Sequence, residues 1–381
     1  MQVPPSKLPN LETTIFAVMS AMANKHNAIN LSQGYPNFPS DSKLKDLVTK
    51  AMYDGFNQYA PMPGTLSLRK AIAYKFERLY GSSYHPDNEI TVTAGATQAI
   101  YTAITAFIQP NDEVLVFRPA YDCYVPTIEL NGGKAVSIQL NSPEYKIDWK
   151  LVEQKISAKT KMIIVNTPHN PSGTMFSEDD MNHLQRLTAN TNIIVLSDEV
   201  YEHIIFDDEK HQSVCLFPDL KSRSFITASF GKTFHNTGWK IGYCCAPDYL
   251  MEEFLKVHQF NVFSVHHPSQ VALSEYLENP RSYEDLSGFY QEKRDFFLEL
   301  IKDSRFNFIP SKGTYFQAVG YSDISTENDM DFCWRLTVDK GVAAIPISAF
   351  NFNKHDDHMI RFCFAKTDET LRRAAEILCK V

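Results

Sequence analysis

The sequence predicts an α/β fold: a large unit of mostly parallel sheet flanked by helices, with a smaller α+β unit beside it. Three observations predict it. Short apolar runs recur at residues 89–93, 113–117, 162–165, 193–196, 225–228 and 241–245. Each is too short for a helix and continuous enough to be buried on both faces. Helical stretches such as 95–107 and 179–189 lie between them, the alternation expected of a parallel sheet with crossover helices. After about residue 280 the texture changes to a long charged helix over 283–301, a short-stranded region and a final helix over 368–380.

The large unit is placed at 41–279. The smaller one comprises 280–381 joined by the N-terminal segment 1–40. Within that segment, residues 15–25 form an amphipathic helix with Ile15, Val18, Met19 and Met22 on one stripe. The loop Ser32-Gln33-Gly34-Tyr35-Pro36-Asn37-Phe38-Pro39 is dense in turn residues, and Ser40 or Asp41 can cap the next helix.

The bulk properties bound the function. The 381 residues allow one large core and a smaller satellite. A hydrophobic content of 44% and a charged content of 22% are those of a globular protein. A net charge of -8 with both signs dispersed argues against a nucleic-acid surface. The polar, proline-rich start MQVPPSKLPN is not a signal peptide, and no apolar run is long enough to cross a membrane. The seven cysteines are scattered, with Cys244 and Cys245 adjacent. That spacing suits neither a disulfide framework nor a zinc site, so reduced thiols in a cytoplasm are expected.

The chemistry-bearing residues follow the C-terminal ends of the expected strands, the edge where open α/β sheets bind ligands. Five such loops converge: Thr93-Ala94-Gly95-Ala96-Thr97, Arg118-Pro119-Ala120-Tyr121, Asn166-Thr167-Pro168-His169-Asn170-Pro171, Ser197-Asp198-Glu199-Val200-Tyr201 and Ser229-Phe230-Gly231-Lys232. Gly95 permits close backbone approach, and Ala96 and Thr97 open a helix whose free N–H groups suit a phosphate. Ser229 and Lys240 can add a hydroxyl and a charge to the same anion site. Lys232, near another cation, can have a lowered pKa and form a Schiff base with an aldehyde. Asp198 ends an apolar strand, where a carboxylate is costly unless paired; a protonated pyridine nitrogen is such a partner. Tyr121 can stack on a planar ring, and Arg361 can bind a carboxylate in bidentate fashion.

Taken singly, each residue has a plainer reading. Gly95 can be an ordinary strand-to-helix turn, Lys232 a solvated lysine, Asp198 a helix cap, Tyr121 a packing residue and Arg361 half of a surface ion pair. Their convergence is what points to a site. His355 and His358 have no third ligand nearby, His266 and His267 read as structural, and Asn131-Gly132-Gly133 reads as a tight turn.

Together these residues resemble the fold-type I, class I aminotransferases over nearly the whole chain. The most specific segment is Ser229-Phe230-Gly231-Lys232-Thr233-Phe234-His235-Asn236-Thr237-Gly238-Trp239-Lys240-Ile241-Gly242-Tyr243. With Asn57-Gln58-Tyr59-Ala60-Pro61 and Asn166 through Gly173, it looks like the branch holding bacterial methionine aminotransferases and the kynurenine aminotransferase/glutamine transaminase K enzymes, the former being nearer. The resemblance implies pyridoxal 5′-phosphate as cofactor, bonded to Lys232, which also shuttles the proton. It implies that Asp198 keeps the pyridine nitrogen protonated, that Tyr201 and Asn170 hydrogen-bond the ring hydroxyl oxygen, and that Tyr121 stacks on the ring. Gly95, Ala96, Thr97, Ser229 and Lys240 hold the phosphate, joined by Tyr59 from a neighbouring subunit, so the active unit is a homodimer. Arg361, Asn170 and the Gly34 backbone bind the substrate carboxylate, and Phe16 and Tyr35, with residues near Phe263 and His266, wall its side chain.

Two departures stand out. Lys240 replaces an arginine common in the wider class but is usual in this branch, and Arg118 occupies an often acidic position. The expected activity is transfer of the amino group of methionine and other neutral or aromatic amino acids to a 2-oxo acid by a ping-pong mechanism. The alternatives are cysteine-S-conjugate β-lyase or kynurenine/glutamine transaminase activity at the same site. A regulator module lacks the length for a DNA-binding domain, and a dehydrogenase lacks its G-x-G-x-x-G turn.

Overall fold

The computed structural model describes residues 5–9 and 11–381; much of the polar start MQVPPSKLPN therefore lies outside the described residues. The N-terminal helix α1 (Ile15–Lys25) begins where Thr14 accepts a hydrogen bond from the Ala17 N–H. It buries Met19, Met22 and Ala23. Strand β1 (Ile29–Asn30) follows, and Asp41 caps helix α2 (Ser42–Tyr53). Helix α3 (Leu66–Tyr80) is capped by Thr65 and ends on Gly81, whose positive φ of 60° suits glycine.

The strands expected from the apolar runs are present: β2 (Ile90–Thr93), β3 (Glu113–Arg118), β5 (Thr160–Asn166), β6 (Ile194–Asp198), β7 (Ser224–Ser229) and β8 (Gly242–Cys245). One strand was not expected, β4 (Lys134–Gln139), directly after the glycine turn. It lies at the sheet edge, so its half-exposed residues carry no continuous apolar run. The sheet order is β2-β8-β7-β6-β5-β3-β4. Strand β8 is antiparallel to both neighbours and the remaining pairings are parallel.

Alternation along the strands divides the core between the two faces. Leu115, Phe117, Ile163, Val165 and Val195 pack in one cluster, while Val114, Val116, Met162, Ile164 and Ile194 pack in the other. Helix α4 (Gly95–Phe107) lies against the second face through Ala99, Ile100, Ala103 and Ile104. The sheet is therefore buried on both sides, and its polar groups emerge at the strand ends.

A smaller sheet in the order β11-β12-β9 is built from β9 (Phe316–Gly320), β11 (Ile345–Pro346) and β12 (Met359–Cys363). Its strands pair antiparallel. Strand β10 (Val342–Ala343) runs parallel to β1 and ties the N-terminal segment to this part. A third core joins Met19 and Met22 to Phe297, Ile360 and Leu371. The long helix expected over 283–301 is broken at Asp285 into Arg281–Glu284 and Leu286–Ile301. The last helix runs Asp368–Leu378. Among the described residues no helix is long and apolar enough to cross a membrane.

Strand β8 and helix α4 meet closely at Gly242. A methyl group there would stand 2.5 Å from the Ala228 carbonyl oxygen and 2.9 Å from the Ala96 nitrogen. Both neighbours are backbone and cannot swing aside. Gly242→Ala is therefore expected to lower the unfolding free energy by about 1–3 kcal/mol. Urea titration should show a reduced midpoint at unchanged slope. A wild-type midpoint would mean that strand and helix separate freely.

Candidate active site

A cavity of about 320 Å³ opens at the C-terminal ends of the parallel strands, where the larger sheet faces the smaller one. The larger sheet contributes Gly95, Ala96 and Thr97 after β2, Tyr121 after β3, Asn170 after β5, Asp198 at the end of β6, Tyr201, and Ser229 and Lys232 after β7, with Lys240 just before β8. The N-terminal segment contributes Phe16 and Gly34, and the smaller sheet contributes Phe316 and Arg361. Tyr59, Tyr35, Phe263 and His266, expected at the site, do not line this cavity within one chain. Tyr59 is 82% exposed and Tyr35 is 46% exposed. Tyr59 meets Phe263 at 5.4 Å between ring centroids, and His266 bonds Ser269.

At one end of the cavity, helix α4 starts without a side-chain cap. Gly95 adopts φ +75°, and a Cβ there would stand 3.3 Å from Lys240 Nζ. An ammonium group thus lies beside uncapped helix N–H groups, an arrangement that suits an anion. The Ser229 hydroxyl accepts a hydrogen bond from the Lys232 N–H. The Tyr121 and Thr97 hydroxyls are 3.3 Å apart, which joins the ring to the same helix end.

In the middle lie Lys232 and Asp198. Burial lowers the Lys232 amine to about 8, against its ordinary 10.5. Its Nζ donates to the Gly34 carbonyl at 3.1 Å. Burial raises the Asp198 carboxyl to about 6. Its hydrogen bonds come from the Tyr124 hydroxyl at 2.6 Å and the Val200 N–H at 3.4 Å, both neutral donors. Asp198 is only 3% exposed and makes no direct ion pair, with Lys232 the nearby opposite charge.

At the other end, Arg361 is fully buried. Its guanidinium donates to Asn170 Oδ1 at 2.6 Å and to the Ser32 carbonyl at 3.0 Å, while Nε has no partner. Burial pulls its pKa down to about 10, still charged at neutral pH. The guanidinium carbon lies 3.8 Å from the Phe316 ring centroid. The Asn170 N–H in turn donates to Asn166 Oδ1, and Asn166 Nδ2 donates to the Asp198 carbonyl. One side-chain relay thus links Arg361 to the strand end that carries Asp198.

Several contributors had no role assigned from sequence. Tyr124 and Asn166 orient Asp198 and Asn170. Tyr315 donates to the Gly34 carbonyl at 2.6 Å. Phe316 stacks under Arg361 and explains Gly34, since a Cβ there would stand 2.7 Å from its ring. Asn166 lies in a motif already singled out, but Phe316 meets the cavity, and Tyr315 the Gly34 carbonyl beside it, only through tertiary folding. His355 bonds Asp357 and His358 stacks on Tyr321. Among the described residues no group of three or more potential metal ligands clusters.

Residues 26–378 match the family model "Aminotransferase class I and II". The methionine aminotransferase of Escherichia coli (strain K12) is 48% identical over 99% of this chain and 98% of its own. A probable N-succinyldiaminopimelate aminotransferase of Mycobacterium tuberculosis is 33% identical over 97% of this chain and 96% of its own. Among solved structures, YbdL from Escherichia coli, identified as a methionine aminotransferase, superposes with a TM-score of 0.98 at 47% identity over the whole of both chains. The aspartate aminotransferase of Thermus thermophilus superposes with a TM-score of 0.91 at 26% identity, also over the whole of both chains. The chain belongs to the class I and II aminotransferases.

Proposed function

We propose that this aminotransferase uses pyridoxal 5′-phosphate to move the amino group of methionine, and of other neutral or aromatic amino acids, to a 2-oxo acid. One observation carries the reading: Lys232, Asp198 and Arg361 surround a single cavity, and their hydrogen-bond partners are all neutral. The residues present fit the cofactor. Lys232 offers an amine for its aldehyde and Asp198 a carboxylate for its ring nitrogen. Tyr121 offers a ring to stack on, and Tyr201 and Asn170 polar groups for its hydroxyl. The start of α4 with Thr97, Ser229 and Lys240 offers donors for its phosphate.

When bound, the cofactor supplies a carbonyl carbon for the amine and a ring that accepts electrons. The protein's own groups do the rest. Lys232 Nζ holds its proton weakly, so it can take a proton from the substrate Cα and return it. Arg361 binds the α-carboxylate, and Asn170 fixes the plane of its guanidinium. The donor leaves as an oxo acid before the acceptor enters, which makes the cycle ping-pong.

The substrate class follows by elimination. The cations lining the cavity are Lys232, Lys240 and Arg361. The aldehyde, the phosphate and the α-carboxylate use all three, so a distal carboxylate would find no further cation among the described residues of the same chain. Phe16 lines the same cavity as an apolar wall. The name of the Escherichia coli relative supports methionine in particular.

The active unit in this reading is a homodimer. Tyr59 and Phe263 pack together yet are 82% and 44% exposed, and Tyr53 and Phe260 are 88% and 85% exposed; exposed aromatics of this size favour cover. Across that interface Tyr59 reaches the partner's phosphate site and Phe263 the partner's substrate wall; Tyr35 borders the opening. The seven cysteines are all free, which suits a reducing cytoplasm.

Three outcomes test these assignments. Lys232→Ala is expected to abolish turnover, and borohydride treatment of the wild type should fix the cofactor to Lys232. Mass spectrometry placing the adduct on another lysine would refute that assignment. Mixing inactive Tyr59→Phe subunits with inactive Lys232→Ala subunits should restore activity, with roughly one intact site per heterodimer; an active monomer in sedimentation would end the dimer argument. Finally, with a common oxo acid, methionine should exceed aspartate in kcat/KM by more than about tenfold, or about 1.4 kcal/mol in transition-state binding. Aspartate matching methionine would defeat the pocket argument and leave the cofactor assignment intact.

A further inference from the structure

Arg118 and Gln139 end two neighbouring parallel strands and sit directly opposite one another in the β3–β4 register. Neither lines the cavity. Both reach away from their own sheet to three consecutive residues that follow β11. Arg118 donates through its guanidinium to the Phe350 carbonyl at 3.1 Å, and the Ala120 N–H donates to the same oxygen at 3.0 Å. Gln139 Nε2 donates to Asn351 Oδ1 at 2.9 Å, and Gln139 Oε1 accepts the Phe352 N–H at 3.1 Å. Asn351 closes the turn by donating to the His355 carbonyl at 2.6 Å.

What this grip holds is aromatic. The Phe350 ring is buried and packs on Phe16 with centroids 5.5 Å apart. The Arg361 guanidinium carbon lies 5.5 Å from the Phe16 centroid and 5.8 Å from the Phe350 centroid. Ile345 of β11, five residues before Phe350, pairs directly with Arg361 on β12. Phe350 is thus fixed from two sides, by the small sheet that carries Arg361 and by the strand ends of the large one.

Arg118 is an unusual choice for a merely structural link. It is half-buried with an unpartnered Nε, its resolved hydrogen bond goes to a neutral carbonyl, and desolvation lowers its pKa. Desolvating a guanidinium costs free energy, and here it is offset by a charge-assisted hydrogen bond that fixes the Phe350 carbonyl.

We propose that Arg118 and Gln139 are positioning residues for substrate selection: by gripping residues 350–352 they seat Phe350 behind Phe16 and set the apolar wall that receives the donor's side chain. The proposal rests on the assignment of this cavity to neutral and aromatic donors. Neither residue touches substrate; both act through Phe350 and Phe16.

The test uses the holoenzyme carrying Arg118→Met, with Gln139→Leu as an independent second variant and Arg118→Lys as the conservative one. Hydrogen exchange should quicken in a peptide covering residues 350–354 in Arg118→Met and Gln139→Leu. The KM for methionine should rise about tenfold with kcat within about threefold, an increase of about 1.4 kcal/mol. The KM for alanine, too short to reach the wall, should change less than about threefold. Arg118→Lys should recover part of the methionine KM, since one ammonium can still reach the carbonyl. Unchanged exchange would overturn the grip. Faster exchange with an unchanged methionine KM, or with an equal rise for alanine, would overturn the selection role. A wild type without transaminase activity would instead refute the underlying reading, and the exchange result would still report on the grip.

Discussion

The constraint on which the site depends is the burial of charge without direct ion pairs. Asp198, Lys232 and Arg361 face one cavity, and their neighbours in the chain are tyrosine hydroxyls, backbone groups and an asparagine. Such groups cost folding free energy, and the pKa directions record the cost: a carboxyl raised to about 6, an amine lowered to about 8 and a guanidinium lowered to about 10. A fold tolerates this only where the surrounding structure over-determines the positions and a ligand later supplies the missing partners.

The surrounding structure does so through the residues on the opposite side of the same segment. Along 198–202, Asp198 and Tyr201 face the cavity while Glu199 and Glu202 point behind it. Glu199 accepts from Ser197 and the Val214 N–H and pairs with His211. Glu202 pairs with the buried Lys75 at 2.5 Å and accepts from Tyr80 and Tyr243. Burial alone would raise the Glu202 carboxyl, but Lys75 and His203 hold it below its ordinary range. Truncating one partner of such a pair leaves an uncompensated charge. The network therefore anchors α3, this turn and β8 to one another, and it keeps Asp198 and Tyr201 in register with the strand ends.

Much of this was legible in the sequence because the relevant signals are local. Apolar runs mark strands buried on both faces, and in an open parallel sheet the functional loops must follow them. That argument alone brought Gly95, Tyr121, Asn170, Asp198, Ser229 and Lys232 to one edge, where the structure has them. Strand β4 escaped because an edge strand is half exposed and lacks the continuous pattern. The break at Asp285 escaped because the residues on both sides keep helical periodicity. Tyr315, Phe316 and Phe350 were illegible for a different reason: their importance lies in tertiary contacts, with Gly34 and Phe16 hundreds of residues away and with Arg361 on another strand. Arg118 stands out in the sequence only as a departure from an often acidic position, since its partner, the Phe350 carbonyl, is 232 residues distant and carries no side-chain signature.

The division between the two sheets also explains why one architecture serves different substrates. The groups proposed for the cofactor come almost entirely from the ends of the parallel strands and the start of α4. The groups proposed for the substrate come mainly from the N-terminal segment and the smaller sheet: Phe16, Gly34 and Arg361, with Asn170 from the larger sheet beside Arg361. A cofactor imposes one fixed geometry, so its half of the cavity has little room to vary. The substrate half is carried on separate elements that touch the parallel sheet at few points, among them Arg118 and Gln139 at the ends of β3 and β4. The similarity to an aspartate aminotransferase, at a TM-score of 0.91 and only 26% identity, fits that division. Overall shape therefore cannot choose between methionine and aspartate; that choice rests on how many cations face the cavity and on what seats its aromatic wall.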